Sequence, residues 1–313
     1  MKRSHTALLV VALIVLVSAI FIFIPISFAA NNVTINYRNV TVHTYVNITN
    51  SKPDVLGVII YDSSNSSINN ITLSAGSMKS ITCNASVRDW NGFNDIIHVN
   101  ATLYYSLNQS TDPDDNNTHY TNSSCTLNTS TGAYNGVYSC VFNILYYANN
   151  GTWRCNVTAK DAYSNPNSTG SNSNTTYFYP VYALNVTDGI DYGNIAVEEY
   201  SYDRSANITN FGNMGINVNV EGYGVNRSDN LAMNCSISGS ISVENERFST
   251  TVGTPFGSKM PLSSASQTIP GLAMPKQTLS STQIINATYW QLYIPPNPAG
   301  NCTGFIIFSA GTS

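Results

Sequence analysis

Beyond the first thirty residues, apolar and polar side chains alternate with a period of two along most of this chain. Ile81, Cys83, Ala85 and Val87 alternate with Thr82, Asn84, Ser86 and Arg88. Ile97, Val99, Ala101 and Leu103 alternate with His98, Asn100 and Thr102, and Trp153, Cys155, Val157 and Ala159 with Arg154, Asn156 and Thr158. Successive side chains of a strand point to opposite faces, so the pattern predicts half-buried antiparallel strands. It recurs at Ala206 and Ile208, at Ile216, Val218 and Val220, and at Met233, Cys235 and Ile237. It returns at Trp290, Leu292 and Ile294, and at Gly304, Ile306 and Phe308. The expected fold class is all-β: two consecutive β-sandwich domains after an N-terminal hydrophobic helix. The expected divisions are 1–30, a signal peptide or membrane anchor; 31–65, an N-terminal strand or linker; 66–180, a first sandwich; and 181–313, a second. Within 31–65, Val40, Val42, Val46 and Ile48 predict one strand, which Asn50-Ser51-Lys52-Pro53 ends before it meets a hairpin partner. Residues 165–174 read as a linker, and the Ser- and Pro-rich stretch 254–278 as a long loop or flap.

The N-terminus bears on compartment. Lys2 and Arg3 precede a charge-free apolar run over 7–28, and Ser27 and Ala29 supply the small residues that a signal peptidase reads when it cuts before Ala30. The run is also long enough to span a bilayer, at about 20 residues. A cleaved signal, a retained anchor and a pilin-type helix cut near Arg3 all fit. In the retained case the positive-inside bias places everything after Ala30 outside the cell. The native N-terminus distinguishes the three: Ala30, Met1 or Ser4.

Charged residues make up only 10% of the chain, with a net charge of −4 and a pI near 5.4. No basic run is present to neutralise phosphates, which excludes a nucleic-acid partner. The polarity resides instead in hydroxyls and amides. Of 41 asparagines, 21 open an N-x-Ser/Thr sequon, against about 9 expected by chance. An excess of this size points to export, to N-linked glycans and to an extracellular or cell-surface location. Asn84, Asn100, Asn156, Asn234 and Asn301 are the strand-borne candidates. Four of them adjoin a cysteine, so a cysteine facing the core turns its sequon asparagine to solvent.

Six cysteines form an even set in an oxidising context and allow 15 pairings. Cys125 and Cys140 flank a turn-rich segment that reads as a hairpin, Cys83 and Cys155 lie in distant alternating strands, and Cys235 and Cys302 belong to the C-terminal half. The expected bonds are Cys83–Cys155, Cys125–Cys140 and Cys235–Cys302.

The stretch Asn149-Asn150-Gly151-Thr152-Trp153-Arg154-Cys155 resembles the D-x-G-x-Y-x-C corner of immunoglobulin-type domains, with Asn149 in place of Asp and Trp153 in place of Tyr. In that resemblance Cys83 and Cys155 correspond to the inter-sheet pair on strands B and F. Residues 71–178 are similar to Ig-like modules of archaeal cell-surface glycoproteins, with DWNG at 89–92 and DPDDNNTHYTNSSC at 112–125. The C-terminal half is similar in style to archaeal surface modules, with YGN at 192–194 and ITNFGN at 208–213. Trp90 follows Cys83 too closely to be the core tryptophan of strand C. The resemblance implies two consecutive Ig-like β-sandwich domains.

Chemistry is sparsely represented. The four histidines are scattered, and no nucleophile elbow, phosphate-binding loop or dinucleotide fingerprint is present. The acids Glu198-Glu199 and Asp188/Asp191 read as solvated neighbours, so no enzymatic activity is expected. Oxygen-rich loops suit calcium. Asp89, Asn91 and Asp95 of the B–C loop and Asp161 of the F–G loop are the candidate ligands, with Asp112, Asp114, Asp115 and Asn116 as a second acidic loop. The competing reading is that these residues only form turns. Together the features read as a non-enzymatic surface glycoprotein with a structural or adhesive role in the archaeal envelope. Its partners would be other surface proteins or copies of itself, with a membrane contact only through an uncleaved N-terminal segment. One alternative is a filament subunit, pilin-like or donor-strand assembled. Another is a secreted glycan- or solute-binding module in which Tyr104-Tyr105 and Tyr146-Tyr147 stack on sugars.

Overall fold

The computed structural model describes residues 41–62, 69–163 and 169–312. The hydrophobic segment 1–30, with its three readings, lies outside the described residues. Residues 1–49 and 50–313 form separate units. In the first, residues 41–49 carry no helix or strand and are exposed. The strand expected across Val40–Ile48 is therefore not formed at 41–48. A strand needs a hydrogen-bonding neighbour, and among the described residues none pairs with this segment.

The second unit begins with nine strands: β1 (Asp54–Asp62), β2 (Asn70–Ile71), β3 (Met78–Arg88), β4 (Ile96–Tyr105), β5 (His119–Asn122), β6 (Thr126–Thr131), β7 (Asn135–Leu145), β8 (Gly151–Asp161) and β9 (Thr169–Phe178). They form two sheets, in the orders β1-β3-β7-β6 and β2-β9-β8-β4-β5. This is the A-B-E-D and G-F-C arrangement of an immunoglobulin sandwich. The strand β1 falls inside the segment 31–65 and pairs with β3 along its whole length, because Val55, Val58 and Ile60 face the core. The linker reading of 165–174 fails from Thr169 onward, where β9 pairs with β8 over ten residues. Its asparagines have a structural use: the Nδ2 groups of Asn172 and Asn174 donate to the carbonyls of Val55 and Val58, joining β9 to β1 across the open side of the sandwich.

The core follows the alternation. Ile81, Cys83, Ala85 and Val87 of β3 and Trp153, Cys155, Val157 and Ala159 of β8 are all fully buried. Ile97 is an exception: a register shift between Ile96 and His98 turns it outward while Val99, Ala101 and Leu103 stay inside. The Cys83–Cys155 bond ties the two sheets together, and Cys125–Cys140 fastens the start of β6 to β7. At the corner before β8, Trp153 Nε1 donates to the Asn149 carbonyl at 2.7 Å, and its ring stacks on Phe178 with centroids 4.8 Å apart. The indole thus does what the tyrosine hydroxyl does in an immunoglobulin corner. Gly151 supplies the positive φ of 120° that the turn requires.

The second sandwich contains β10 (Leu184–Val186), β11 (Arg204–Asn210), β12 (Ile216–Tyr223), β13 (Leu231–Cys235), β14 (Ser240–Ser242), β15 (Glu246–Ser249), β16 (Met260–Pro261), β17 (Gln267–Met274), β18 (Ile285–Leu292), β19 (Cys302–Thr303) and β20 (Phe305–Thr312). The sheet β10-β11-β18-β15-β16 faces two three-stranded sheets, β17-β12-β20 and β14-β13-β19. Ala206, Ile208, Ile216, Val218, Val220 and Trp290 fill the space between them. The stretch 254–278 is not a free flap. It contains β16 and β17, and Leu262, Ile269, Leu272 and Met274 enter the core. Pro270 is tolerated because β17 is an edge strand whose pairing with β12 shifts register at that point. Ile237 is exposed because β13 ends at Cys235, while a register shift after Leu231 places Ala232 inside together with Cys235. Cys235–Cys302 joins β13 to β19.

The two sandwiches meet through the motif at 208–213. Asn213, buried, donates to the Tyr179 carbonyl and accepts from the Val181 N–H, bracing the connecting chain. Asn210, also buried, donates to the carbonyls of Met214 and Pro275 and accepts from Gly212 N–H. Phe211 packs edge-on against Tyr146, and its carbonyl takes the N–H of Gly76. A β-carbon at Gly76 would lie 2.5 Å from the Phe211 ring. Across the same junction Gln277 accepts from the Tyr146 hydroxyl, and Lys276 meets Asn149 and the Tyr147 carbonyl.

The corner makes a graded prediction. Trp153→Phe removes the indole donor and some buried volume, and is expected to lower unfolding free energy by about 2–4 kcal/mol. Trp153→Tyr, able to restore a bond to the Asn149 carbonyl, is expected to lose measurably less. Urea midpoints of the two variants against the parent check the order.

Candidate functional site

At the end of the first sandwich where β3 leaves and β8 arrives, carboxylates gather with little compensating charge. Asp89 follows β3 and is fully buried; its Oδ1 accepts from Asn91 N–H at 2.8 Å, while its Oδ2 is buried and has no partner. Asp161 ends β8, also fully buried, accepting from Tyr163 N–H at 2.9 Å and from the side-chain amide of Asn50 at 2.7 Å. Asp95 belongs to the short 3-10 turn Phe93–Asp95 and binds Ala162 N–H through its carbonyl. Asn91 is exposed, and its Oδ1 takes the Ser51 N–H at 2.7 Å. Burial raises the Asp89 carboxyl above the usual range; the Asn91 bond works against this, and the negative charges of Asp95, Asp161 and Asp54 add to it. Arg88 is turned elsewhere, with Nη2 3.2 Å from Asp54 and its guanidinium over the Trp90 ring.

The four residues expected as calcium ligands thus share one end of the sandwich. Among the described residues, however, no three His, Cys, Asp or Glu side chains stand at metal-ligand spacing, so Asp89, Asp95 and Asp161 do not form a three-carboxylate cage. The acidic loop at the opposite end behaves as a set of turns. Asp112 accepts from Gln109 N–H, Asp115 from the N–H groups of Asn117 and Thr118, and Asp114 from Thr121 Oγ1 while it binds His119.

The tyrosine pairs expected to stack on sugars are mostly internal. Tyr104 is buried against His119, Tyr105 packs edge-on to Trp153, and Tyr146 and Tyr147 are buried at the junction between the sandwiches. Asp188, Asp191, Glu198 and Glu199 are exposed along the irregular stretch between β10 and β11. That stretch borders a cleft of about 460 Å³ lined by Ile190, Tyr192, Ala206, Met233, Glu246 and residues of β20. Glu246, fully buried, accepts from the Tyr192 hydroxyl at 2.7 Å. Burial pushes its carboxyl up to about 7, against the pull of the Tyr192 bond.

No protein-family model and no curated protein sequence matches the chain. Solved structures match only at a distance. A chaperone–tip adhesin complex of CFA/I fimbriae biogenesis is 11% identical, with 86% of this chain and 90% of that chain covered and a TM-score of 0.31. The C-terminal domain of the Streptococcus agalactiae AgI/II polypeptide BspA is 9% identical, with 83% and 100% covered and a TM-score of 0.20. TM-scores this low establish no common fold, and the reading that follows stands on this chain's own residues.

Two features of these sites carried little signal in the sequence. Asn50 reads as part of a strand-breaking turn, and only the fold brings it to Asp161, 111 positions away. Glu246 reads as an ordinary polar residue among Glu244, Asn245 and Arg247; its burial depends on the strap that carries Tyr192.

Glu246 gives a pH prediction. Its carboxyl titrates near 4.5 when unfolded and near 7 when folded, so the folded state holds the proton more tightly between those values. The contribution of Glu246 to stability is then greatest below pH 4.5 and falls by on the order of 3 kcal/mol as pH rises through 7, levelling off above. Glu246→Gln keeps an acceptor for Tyr192 and is expected to remove that fall. Urea unfolding of both proteins at pH 5 and pH 8 measures it.

Proposed function

We propose that this protein is a non-enzymatic extracellular glycoprotein of the archaeal cell surface, with a structural or adhesive role. The observation that carries the reading is how the asparagines are placed. Of the 21 sequon asparagines, 17 lie among the described residues, and none of them is buried. The two buried asparagines among the described residues, Asn210 and Asn213, belong to no sequon. Asn84, Asn100 and Asn156 sit partly exposed on strands, and Asn234 and Asn301 are exposed. A glycan on any of them needs no rearrangement of the core. Three disulfides among six cysteines fit the same oxidising compartment.

A second reading, a subunit assembled by strand exchange, is favoured by two unpaired parts of the chain. Val42, Val46 and Ile48 are from 73% to 83% exposed on a segment with alternating apolar positions. Among the described residues the strand β20 pairs with β12 on one side only, exposes Phe305 while Ile306 and Phe308 pack on the core, and borders the 460 Å³ cleft. An open strand edge of this kind pairs readily with another chain.

Two measurements test these readings. Glycopeptide mass spectrometry of protein from its native host is expected to find hexose-bearing peptides at several of Asn84, Asn100, Asn156, Asn234 and Asn301; unmodified asparagines throughout would remove the main support. Deleting residues 41–48 is expected to abolish higher oligomers while leaving the monomer melting temperature unchanged. A collapse of monomer stability, with no oligomers in the intact protein, would end the strand-exchange reading.

A further inference from the structure

The end of the first sandwich contains two buried oxygens without a protein partner among the described residues: Asp89 Oδ2 and Asn50 Oδ1. The orientation of the Asn50 amide is fixed, because its Nδ2 donates to Asp161 Oδ2 at 2.7 Å. Its oxygen is therefore the atom left over. A buried acceptor without a donor loses its hydration and gains nothing in return. Here one of the two is a carboxylate oxygen that also feels the charges of Asp95, Asp161 and Asp54. A hydrogen-bond donor could quiet one such oxygen. A cation removes both the missing contact and the repulsion.

We propose that Asp89, Asn50 and Asp161 bind a hard divalent cation of the calcium class, with the Asp95 carboxylate nearby adding to the negative field. The chemistry matches in kind: all donors are oxygens, two are carboxylates and one is an amide, and calcium completes its shell of six to eight oxygens with main-chain carbonyls and water. Both Asp161 oxygens already accept one hydrogen bond, but each carboxylate oxygen has a second lone-pair site free. Asn91 serves differently from the sequence-based expectation. It holds the Ser51 N–H and the Asp89 loop together, and so positions the site without being needed as a ligand.

The inference does not rest on the proposed cell-surface function. Its consequence is structural, since Asn50 stands at the start of the 50–313 unit. An ion bound there fastens the first residues of that unit to the loops after β3 and β8, which Asn50 and Ser51 otherwise meet, among the described residues, through two hydrogen bonds.

The test uses the full chain, stripped with EDTA and titrated with calcium chloride. We expect one saturable binding event by calorimetry and a rise of several degrees in melting temperature. Trp90 follows Asp89 directly in sequence, so indole-sensitised terbium emission that calcium competes away is the second readout. Asp89→Asn is expected to abolish both signals and, in EDTA, to melt no lower than the parent, because it removes the unpaired carboxylate. Asn50→Ala is expected to weaken calcium binding about tenfold and, because it also takes the donor from buried Asp161 Oδ2, to lower the EDTA melting temperature. Identical melting with EDTA and with calcium, together with no competable terbium emission, would overturn the proposal. Calcium binding left intact in both variants would overturn it too, by placing the ion elsewhere.

Discussion

The Cys83–Cys155 bond is the constraint from which the first sandwich follows. It joins the second strand of one sheet to the central strand of the other. In a strand, side-chain direction alternates strictly, so two cysteines that meet in the core fix the facing of every neighbour. Ile81, Ala85 and Val87 must then go in with Cys83, and Trp153, Val157 and Ala159 with Cys155. The same constraint sends Asn84 and Asn156 outward. One covalent contact in the core thereby sets the outward facing of both neighbouring sequon asparagines.

The central strands were legible because β-bridging and burial there obey one period. What escaped was decided by contacts distant in sequence. Ile97 breaks the rule at a register shift, and Ile237 lies just past a strand end where alternation no longer has a sheet to refer to. The Ser/Pro-rich stretch 254–278 looked like a loop because its apolar residues are spaced irregularly; β17 buries Ile269, Leu272 and Met274 only because an edge strand tolerates Pro270 and Gly271 in its middle. The candidate cation end was half legible. Asp89, Asp95 and Asp161 follow from strand topology, whereas Asn50 joins them through chain that enters from before β1. The tyrosine doublets misled for a different reason: Tyr146 and Tyr147 are covered by a second domain, which no local pattern encodes.

The two sandwiches treat their edges differently. In the first, asparagine side chains of β9 bind carbonyls of β1, closing that side, and β6 presents only short polar side chains around Leu127 along its outer edge. In the second, Pro261 ends β16 and a register shift interrupts β17. The strand β20 has neither device, and its exposed side chains include Phe305. Protection of exposed edges is the usual rule, so the open side of β20 is a place where another strand can pair.

The disulfides also set how the protein answers to being pulled by its ends. Cys83 and Cys155 are 72 positions apart and enclose Cys125–Cys140, while Cys235 and Cys302 close 67 positions in the second sandwich. Tension passes across each bond and never reaches the chain inside the loop. At about 3.3–3.6 Å per residue, each loop withholds roughly 220–260 Å of contour length. A sandwich stretched until its sheets part would lengthen only by the residues outside these loops. Under load the extension is therefore bounded, because the chain inside the two loops stays out of the stretched path.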